Sequence, residues 1–187
     1  MAKVIQCFML DPTDQQVVHL RRYAGRREPG ARCPSSSTGY HNAMVEIDRG
    51  PWADEAIADS HPHDDPRWPK TCACGYVFAD TDHWQRFVQR LYRRSDTGGL
   101  ETLHRPPPGA MWYADWTSMR GPDGRCLFVQ TPAGPWSPDQ PSSDGRPWTR
   151  TGTPPNVTAT PSIGLVNPDG TGWAYHGWLR DGQLVEC

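Results

Sequence analysis

The sequence has no long run of apolar residues, and no stretch approaches the length needed to cross a bilayer. Lysine is nearly absent, since only Lys3 and Lys70 contribute to the 19 basic residues. Neither sign of charge dominates, because the formal net charge is -2. The chain therefore has no overall attraction to nucleic acid or to an anionic membrane. These absences predict a protein that binds neither, and they leave another protein as the expected partner.

Familiar catalytic and targeting signals are also missing. The chain has no glycine-rich phosphate loop, no nucleophile elbow and no His-Glu-x-x-His motif. The short apolar run at the N-terminus is interrupted by Asp11 and Pro12 and lacks a small-residue cleavage site, which predicts a strand rather than a signal peptide. Without such a signal, the 6 cysteines favour thiols or metal ligands over disulfides. We therefore expect the protein to be located in a reducing cytoplasm.

Apolar residues are scarce, whereas turn-forming residues and aromatic residues are abundant. Hydrophobic residues make up 36% of the chain, and 18 Gly and 20 Pro favour many turns and short strands. The 9 Trp compensate in part, because each aromatic side chain buries a large area. A core of this kind would benefit from a metal ion that ties loops together.

The pattern of apolar residues predicts an α+β fold, in which antiparallel β-hairpins predominate and one amphipathic helix packs on the sheet. The helix is predicted over residues 82–94, where Trp84, Phe87, Val88, Leu91 and Tyr92 recur at helical spacing. Turn-forming residues separate the predicted strands, which cover residues 3–10, 15–23, 40–48, 110–119, 125–131, 156–166, 172–179 and 183–186. We expect residues 1–187 to form one metal-stapled domain with a long Pro/Ser/Gly loop at 132–147.

The segment Cys72-Ala-Cys74-Gly75 is the part of the sequence that most clearly indicates chemistry. Thiolates are ligands that zinc prefers, and a tight turn carrying two of them supplies half of a tetrahedral site. Gly75 allows the turn to fold back so that both sulfur atoms face one point. We therefore predict that Cys72 and Cys74 bind a zinc ion.

Histidines are the expected source of the remaining ligands. His63 lies just upstream of the cysteine turn, with His61 beside it, in a loop whose carboxylates could orient an imidazole. His176 lies in a C-terminal strand and would tie that end of the chain to the turn. The predicted ligand set is Cys72, Cys74, His63 and His176. Cys33 and His41, which flank residues 35–39, form a reserve pair.

Several of these segments resemble a family of uncharacterised bacterial and bacteriophage domains. The resemblance rests on Arg67-Trp-Pro-Lys-Thr-Cys-Ala-Cys-Gly-Tyr-Val-Phe, Pro108-Gly-Ala-Met-Trp, Gly121-Pro-Asp-Gly, Thr160-Pro-Ser-Ile-Gly and Tyr175-His-Gly-Trp-Leu-Arg-Asp-Gly. It implies a phage or bacterial origin and one metal site formed by the early cysteines and the late histidine. Lys70 and Trp173 stand where some relatives carry a further His or Cys, which leaves the fourth ligand open.

Three functions are compatible with these features. The first is a zinc-stabilised, non-catalytic accessory protein that acts by binding another macromolecule. The second is a metal-dependent hydrolase, in which Cys72, Cys74 and His176 hold zinc, water takes the fourth position and Asp64 or Asp65 acts as the base. The third is a structural component of a virion, with the host cytoplasm or the virion as its location. Closed coordination would favour the first or the third.

Overall fold

The computed structural model describes residues 3–25, 32–36, 39–50, 63–142, 145, 148–167 and 169–187. Every regular element in this part of the chain is a β-strand, so the predicted α+β class is wrong and the fold is all-β. The strands are β1 (Val4–Gln6), β2 (Phe8–Ala24), β3 (His41–Gly50), β4 (His83–Arg94), β5 (Leu100–Glu101), β6 (Ala110–Tyr113), β7 (Leu127–Thr131), β8 (Gly134–Trp136), β9 (Thr149–Thr153), β10 (Asn156–Val166), β11 (Trp173–Arg180) and β12 (Gln183–Glu186).

The predicted helix at residues 82–94 is the strand β4. In a strand, the five apolar residues that suggested a helix divide between the two faces, because side chains alternate with a period of two. Leu91 is buried, and the other four are half-buried, so both faces of the strand are in part covered. Aromatic and β-branched residues also favour strands, and β4 is hydrogen-bonded to its neighbour β2. Pairing within the sheet therefore prevails over the helical spacing.

The chain divides into two compact units, of which the first comprises Met1–Pro12 and Tyr92–Cys187. It contains a five-stranded antiparallel sheet in the order β1-β12-β11-β10-β9, so the hairpins predicted for the C-terminal third are confirmed. In the same unit, β7 pairs with both β6 and β8. The strand β8 lies inside the segment 132–147 that was predicted to be loop, and its Trp136 is buried in the core of the unit.

The second unit comprises Thr13–Leu91. Residues 16–24 of β2 pair antiparallel with β3, and β4 is the other hydrogen-bonded neighbour of β2 in this unit. The turn predicted at residues 11–14 does not interrupt β2, which is continuous from Phe8 to Ala24. A separate cluster of buried residues, which includes Ala24, Cys33, Cys72 and Phe78, forms the core beside the cysteine turn.

The prediction of a single domain stays a prediction.

Within the described residues, no helix is long and apolar enough to span a membrane.

Candidate metal centre

Four side chains of the second unit form a cluster that could hold a metal ion: Cys33, His41, Cys72 and Cys74. Their potential ligand atoms all lie within 4.8 Å of one another. Cys33, His41 and Cys72 are buried, with 3%, 8% and 6% of their surfaces exposed, and Cys74 is half-buried. Three thiols and one imidazole at this separation are the donor set of a Cys₃His site.

The first pair of thiols is positioned by a tight turn over residues 70–78. The backbone N–H of Cys72 donates to the carbonyl of Tyr76 at 2.8 Å, and that of Gly75 donates to the carbonyl of Cys72 at 2.9 Å. Gly75 has a φ of 90°, in the region that side chains other than glycine rarely adopt. A bridge between Thr71 and Val77 closes the turn. The two cysteines are therefore held at the tip of a small hairpin, as their spacing predicted.

The other two donors come from the connection between β2 and β3 and from the start of β3. The backbone N–H of Cys33 donates to the carbonyl of Gly39 at 3.1 Å, and that of Ser36 donates back to the carbonyl of Cys33 at 3.3 Å, so a second turn fixes this thiol. His41 is the first residue of β3 and lies opposite Ala24 at the end of β2. Antiparallel pairing of these strands thus sets the position of the imidazole.

The separations between the donor atoms agree with tetrahedral coordination. Zn–S bonds of about 2.3 Å at tetrahedral angles place two sulfur atoms about 3.8 Å apart. The sulfur atoms of Cys33 and Cys72 are 3.7 Å apart, and Nδ1 of His41 lies 3.2 Å from the sulfur of Cys74. One metal ion at the centre of the cluster would therefore need only small movements of the four side chains.

The electrostatic environment separates the acidities of the neighbouring thiols. Burial raises the pKa of the Cys33 thiol from 9.0 to about 11, and the adjacent sulfur atoms of Cys72 and Cys74 add to that increase. Burial also opposes ionisation of Cys72, but hydrogen bonds with the backbone of Cys74 and Asn42 and with the side chains of Cys33 and His41 together outweigh it and lower the pKa of Cys72 from 9.0 to about 6. The pKa values of these two neighbouring thiols are thus shifted in opposite directions, and a bound cation would replace the protons that remain on the thiols.

A layer of aromatic and polar side chains holds the imidazole of His41 in place. The ring of His41 stacks on that of Tyr76 at a centroid distance of 4.0 Å. The hydroxyl of Tyr76 donates to Oδ2 of Asp82 at 3.0 Å, and the same oxygen accepts the backbone N–H of Ala79 at 2.8 Å. Partners of this kind fix the orientation of a ligand before the metal arrives.

The structure places His63 and His176 outside the four-residue cluster. The ring of His63 stacks on Trp84 at 4.5 Å, and the ring of His176, in the first unit, stacks on Trp173 at 5.3 Å. His61 lies outside the described residues. The cluster therefore joins the predicted Cys72 and Cys74 to the reserve pair, Cys33 and His41.

The two candidate donors beyond Cys72 and Cys74 in this cluster are not those nearest in sequence. His63 is nearer to the cysteine turn in sequence, whereas His41 reaches it only because β3 pairs with β2. The signal that could have identified Cys33 and His41 is the turn between them, which contains Ser36 and Gly39 and leads directly into a predicted strand. This arrangement matches the other half of the site, where a glycine-containing turn also carries the thiols.

Comparison with protein-family models, with curated proteins and with solved structures finds no match to this chain. The resemblance to uncharacterised phage and bacterial domains accordingly stays a prediction.

Proposed function

We propose that Cys33, His41, Cys72 and Cys74 bind one structural zinc ion, and that the chain is a non-catalytic accessory protein that acts by binding another protein. The observation that carries the proposal is the cluster itself, in which two separate turns and the start of β3 bring four donors of the kind that zinc prefers within 4.8 Å of one another. Zinc suits this donor set because it takes thiolate and imidazole ligands in tetrahedral geometry.

A structural role is favoured over a catalytic one because the protein supplies all four ligands. Catalytic zinc sites keep one position open for water or substrate, whereas structural sites are closed. The hydrolase hypothesis needed an open fourth position with Asp64 or Asp65 as the base. With a metal at the centre of the cluster, Cys33 and His41 would fill the two positions beyond Cys72 and Cys74. The arrangement thus supports a metal that stabilises the fold of the second unit.

Exposed aromatic side chains support a role in binding. Trp116 is 68% exposed and Trp173 is 58% exposed, although large aromatic side chains are usually buried. Tryptophan is enriched in protein interfaces, where one side chain removes a large area from water. We propose on the basis of the sequence resemblance that the partner belongs to a phage or its bacterial host, with the virion as the alternative setting.

Metal content tests this proposal. Protein purified without added metal should contain about one zinc per chain by elemental analysis, because a buried Cys₃His site binds zinc tightly. Cys74→Ser and His41→Ala should lose most of the metal after dialysis against a chelator. Cys187→Ser, His63→Ala and His176→Ala are the matched controls and should retain it. A wild-type protein that folds stably without metal, or variants that lose metal only at His63 or His176, would contradict the proposed site.

Cobalt substitution separates the structural role from the catalytic one. With cobalt in a closed Cys₃His site, the visible absorption spectrum should be that of a tetrahedral cobalt ion bound to thiolates. Excess azide or thiocyanate should leave this spectrum unchanged. A spectrum that shifts on addition of either anion would show an open position and would favour the hydrolase.

A further inference from the structure

A cleft of about 410 Å³ lies on the second unit beside the cysteine turn. The turn contributes Lys70, Val77 and Phe78 to its lining, and the strands β2 and β4 contribute Arg22 and Trp84. Because the same turn carries Cys72 and Cys74, the shape of this cleft depends on the metal centre. The segment just before the turn completes the lining with residues that include Trp68 and Asp64.

Arg22 is the buried cation of this cleft, and it has few partners. Its side chain lies over Trp84 at 3.6 Å and over Phe78 at 5.3 Å, and its Nη2 donates to the carbonyl of Ala79. Its Nε is buried and has no hydrogen-bond partner among the described residues. The residue as a whole is 4% exposed. A buried charge of this kind normally faces an opposite charge, because removing an unpaired ion from water is costly.

Arg150, in the first unit, shows how this chain otherwise accommodates a buried arginine. It is 6% exposed and forms ion pairs with Asp123 at 2.7 Å and with Asp139 at 3.0 Å. Arg22 is buried to a similar extent, yet no described carboxylate forms an ion pair with it. Among the described residues, the guanidinium of Arg22 is thus satisfied by one carbonyl and two aromatic rings, and it retains the capacity to bind an anion.

The charges around the cleft favour a carboxylate over a phosphate. Lys70 adds a second cation at the exposed rim, but Asp64, Asp65 and Asp80 also contribute to the lining. Asp65 is paired with Arg67 at 2.8 Å, which leaves the others to repel a multiply charged group. A planar guanidinium can donate two parallel hydrogen bonds to a singly charged carboxylate, and this pairing does not require further positive charges around it.

The remaining lining is aromatic and apolar. Trp68 and Trp84 meet edge to face at 5.0 Å, and Val77 is 67% exposed at the mouth of the cleft. Trp68 is itself buried and Arg22 and His63 lie against Trp84, so an apolar group would cover Val77 and the part of Trp84 that stays exposed. The cleft therefore combines one buried cation with an apolar wall.

We infer that this cleft binds a carboxylate attached to an aromatic or apolar group on the partner protein, either at its chain terminus or on an acidic side chain beside an aromatic residue. This inference specifies the ligand for the binding role proposed above and rests on that role. The carboxylate pairs with Arg22 and Lys70, and the apolar group packs against Val77 and the exposed part of Trp84, next to the buried Trp68.

Titration of the zinc-loaded, full-length protein with small probes tests the inference. N-acetylphenylalanine represents a chain terminus, and N-acetyl-Phe-Asp-amide represents an acidic side chain. N-acetylphenylalanine amide lacks the carboxylate, and phenyl phosphate replaces it. The readout is the ¹H–¹⁵N NMR signal of the indole N–H groups, assigned with Trp68→Phe and Trp84→Phe. At least one of the two carboxylate probes should shift the signals of Trp68 and Trp84 and bind about tenfold more tightly than the amide, because a charge-assisted hydrogen bond is lost in the amide.

Three substitutions locate the binding energy. Arg22→Gln should reduce carboxylate binding to the level of the amide, Lys70→Gln should weaken it severalfold, and Asp64→Asn should strengthen it because a repulsive charge is removed. Lys70 and Asp64 lie at the exposed rim, so their substitution should not affect folding. These two variants therefore still test how charge in the cleft affects carboxylate binding if Arg22→Gln does not fold.

Equal binding of acid and amide, tighter binding of phenyl phosphate, or no shift at either indole would overturn the inference. Zinc content measured in the same samples keeps the two proposals distinguishable. If zinc-loaded protein binds none of the probes, only the proposal of carboxylate binding in the cleft is refuted. If metal-free protein binds the carboxylate probes, only the proposal of zinc binding is refuted.

Discussion

Arg150 illustrates how individual residues stabilise the first unit. Its guanidinium donates two hydrogen bonds to Asp123, at 2.7 and 3.1 Å, and one to Asp139 at 3.0 Å. The side chains of Arg150 and Asp139 are almost completely buried, with 3% and 2% exposed. Removing one member of such a network leaves the other charges buried without compensation, which costs far more than the pair contributes when intact.

Arg150→Met should therefore lower the free energy of unfolding by about 3–5 kcal/mol. The matched control is Arg125→Met, because Arg125 pairs with Asp115 at 2.8 Å on the surface, where 46% and 66% of the two side chains are exposed. Exposed pairs contribute about 1 kcal/mol or less. Urea denaturation of both variants measures the difference. Equal losses of stability would show that burial of the Arg150 network has no special consequence.

Acidification should destabilise the protein through Asp123. The Arg150 guanidinium, followed by the hydroxyl of Tyr113, holds the pKa of this carboxyl well below its usual 3.8. A carboxyl with a lower pKa in the folded state stabilises the fold at pH values above its unfolded pKa, and that stability is lost as the pH falls through the folded pKa. The free energy of unfolding should therefore decline below about pH 4.

Urea denaturation at a series of acidic pH values measures this slope. Asp123→Asn should flatten it because the titrating group is removed. Asp115→Asn should leave it nearly unchanged, since the exposed Arg125–Asp115 pair is screened by solvent. A slope that Asp123→Asn does not alter would assign the acid sensitivity to other groups.

At the scale of elements, the turn over residues 70–78 connects local backbone geometry with metal binding. Gly75 has a φ of 90°, and nothing lies within 4 Å of the position that a Cβ would occupy. Substitution there is thus limited by backbone conformation and not by crowding. The conformation costs about 1–2 kcal/mol for a residue with a side chain.

Gly75→Ala should weaken metal binding by about tenfold, because a cost of this size opposes the turn that presents both thiols. Gly98→Ala is the matched control, since Gly98 has a φ of 73° and also has open space around it, but it lies in the first unit. Competition with a chromophoric chelator measures the affinity. If both variants bind metal as tightly as the wild type, the turn geometry does not limit the site.

Most strands and the cysteine turn could be predicted from the sequence, whereas the assignment of β4 as a strand and the composition of the candidate metal cluster could not. Turn residues such as Asn167 and Gly170 mark hairpins locally, so β10, β11 and β12 were predicted nearly residue for residue. The apolar residues of β4 fit a helical period equally well, and only pairing with β2 decides between the alternatives. Local sequence patterns thus specify turns, but pairing with distant strands decides whether an apolar segment such as β4 forms a helix or a strand.

The same limit applies to the candidate metal cluster. The spacing of Cys72 and Cys74 within one turn indicates a possible metal site. Cys33 and His41 lie near them because β2 pairs with β3. A single sequence does not show which distant donors a sheet will bring together. His63 is closer to the cysteine turn in sequence, and its ring stacks on Trp84 outside the cluster.

At the scale of the whole molecule, removal of the metal should affect the two units differently. Structural zinc sites contribute about 10–16 kcal/mol of binding energy to folding. In this chain that energy would act on the second unit, where all four donors lie. The first unit has its own apolar core, which includes Met111, Trp136 and Ile163.

Chelation should therefore accelerate amide hydrogen exchange in residues 39–50 and 70–78, while peptides from β10, β11 and β12 keep their protection. Hydrogen-exchange mass spectrometry before and after treatment with a chelator measures both sets in one sample. A uniform increase in exchange along the chain would show that the metal stabilises the whole molecule. No increase in exchange would show that the metal stabilises neither residues 39–50 nor residues 70–78.

The measurement that tests the central claim most directly is X-ray absorption at the zinc edge of the purified protein. A Cys₃His site predicts three sulfur atoms at about 2.3 Å and one nitrogen at about 2.0 Å, with no bound water. His41→Ala should remove the nitrogen contribution or the metal itself, whereas His63→Ala and His176→Ala should leave the spectrum unchanged. Two sulfur atoms with two or more light ligands, or a nitrogen contribution lost only in His63→Ala or His176→Ala, would contradict the account.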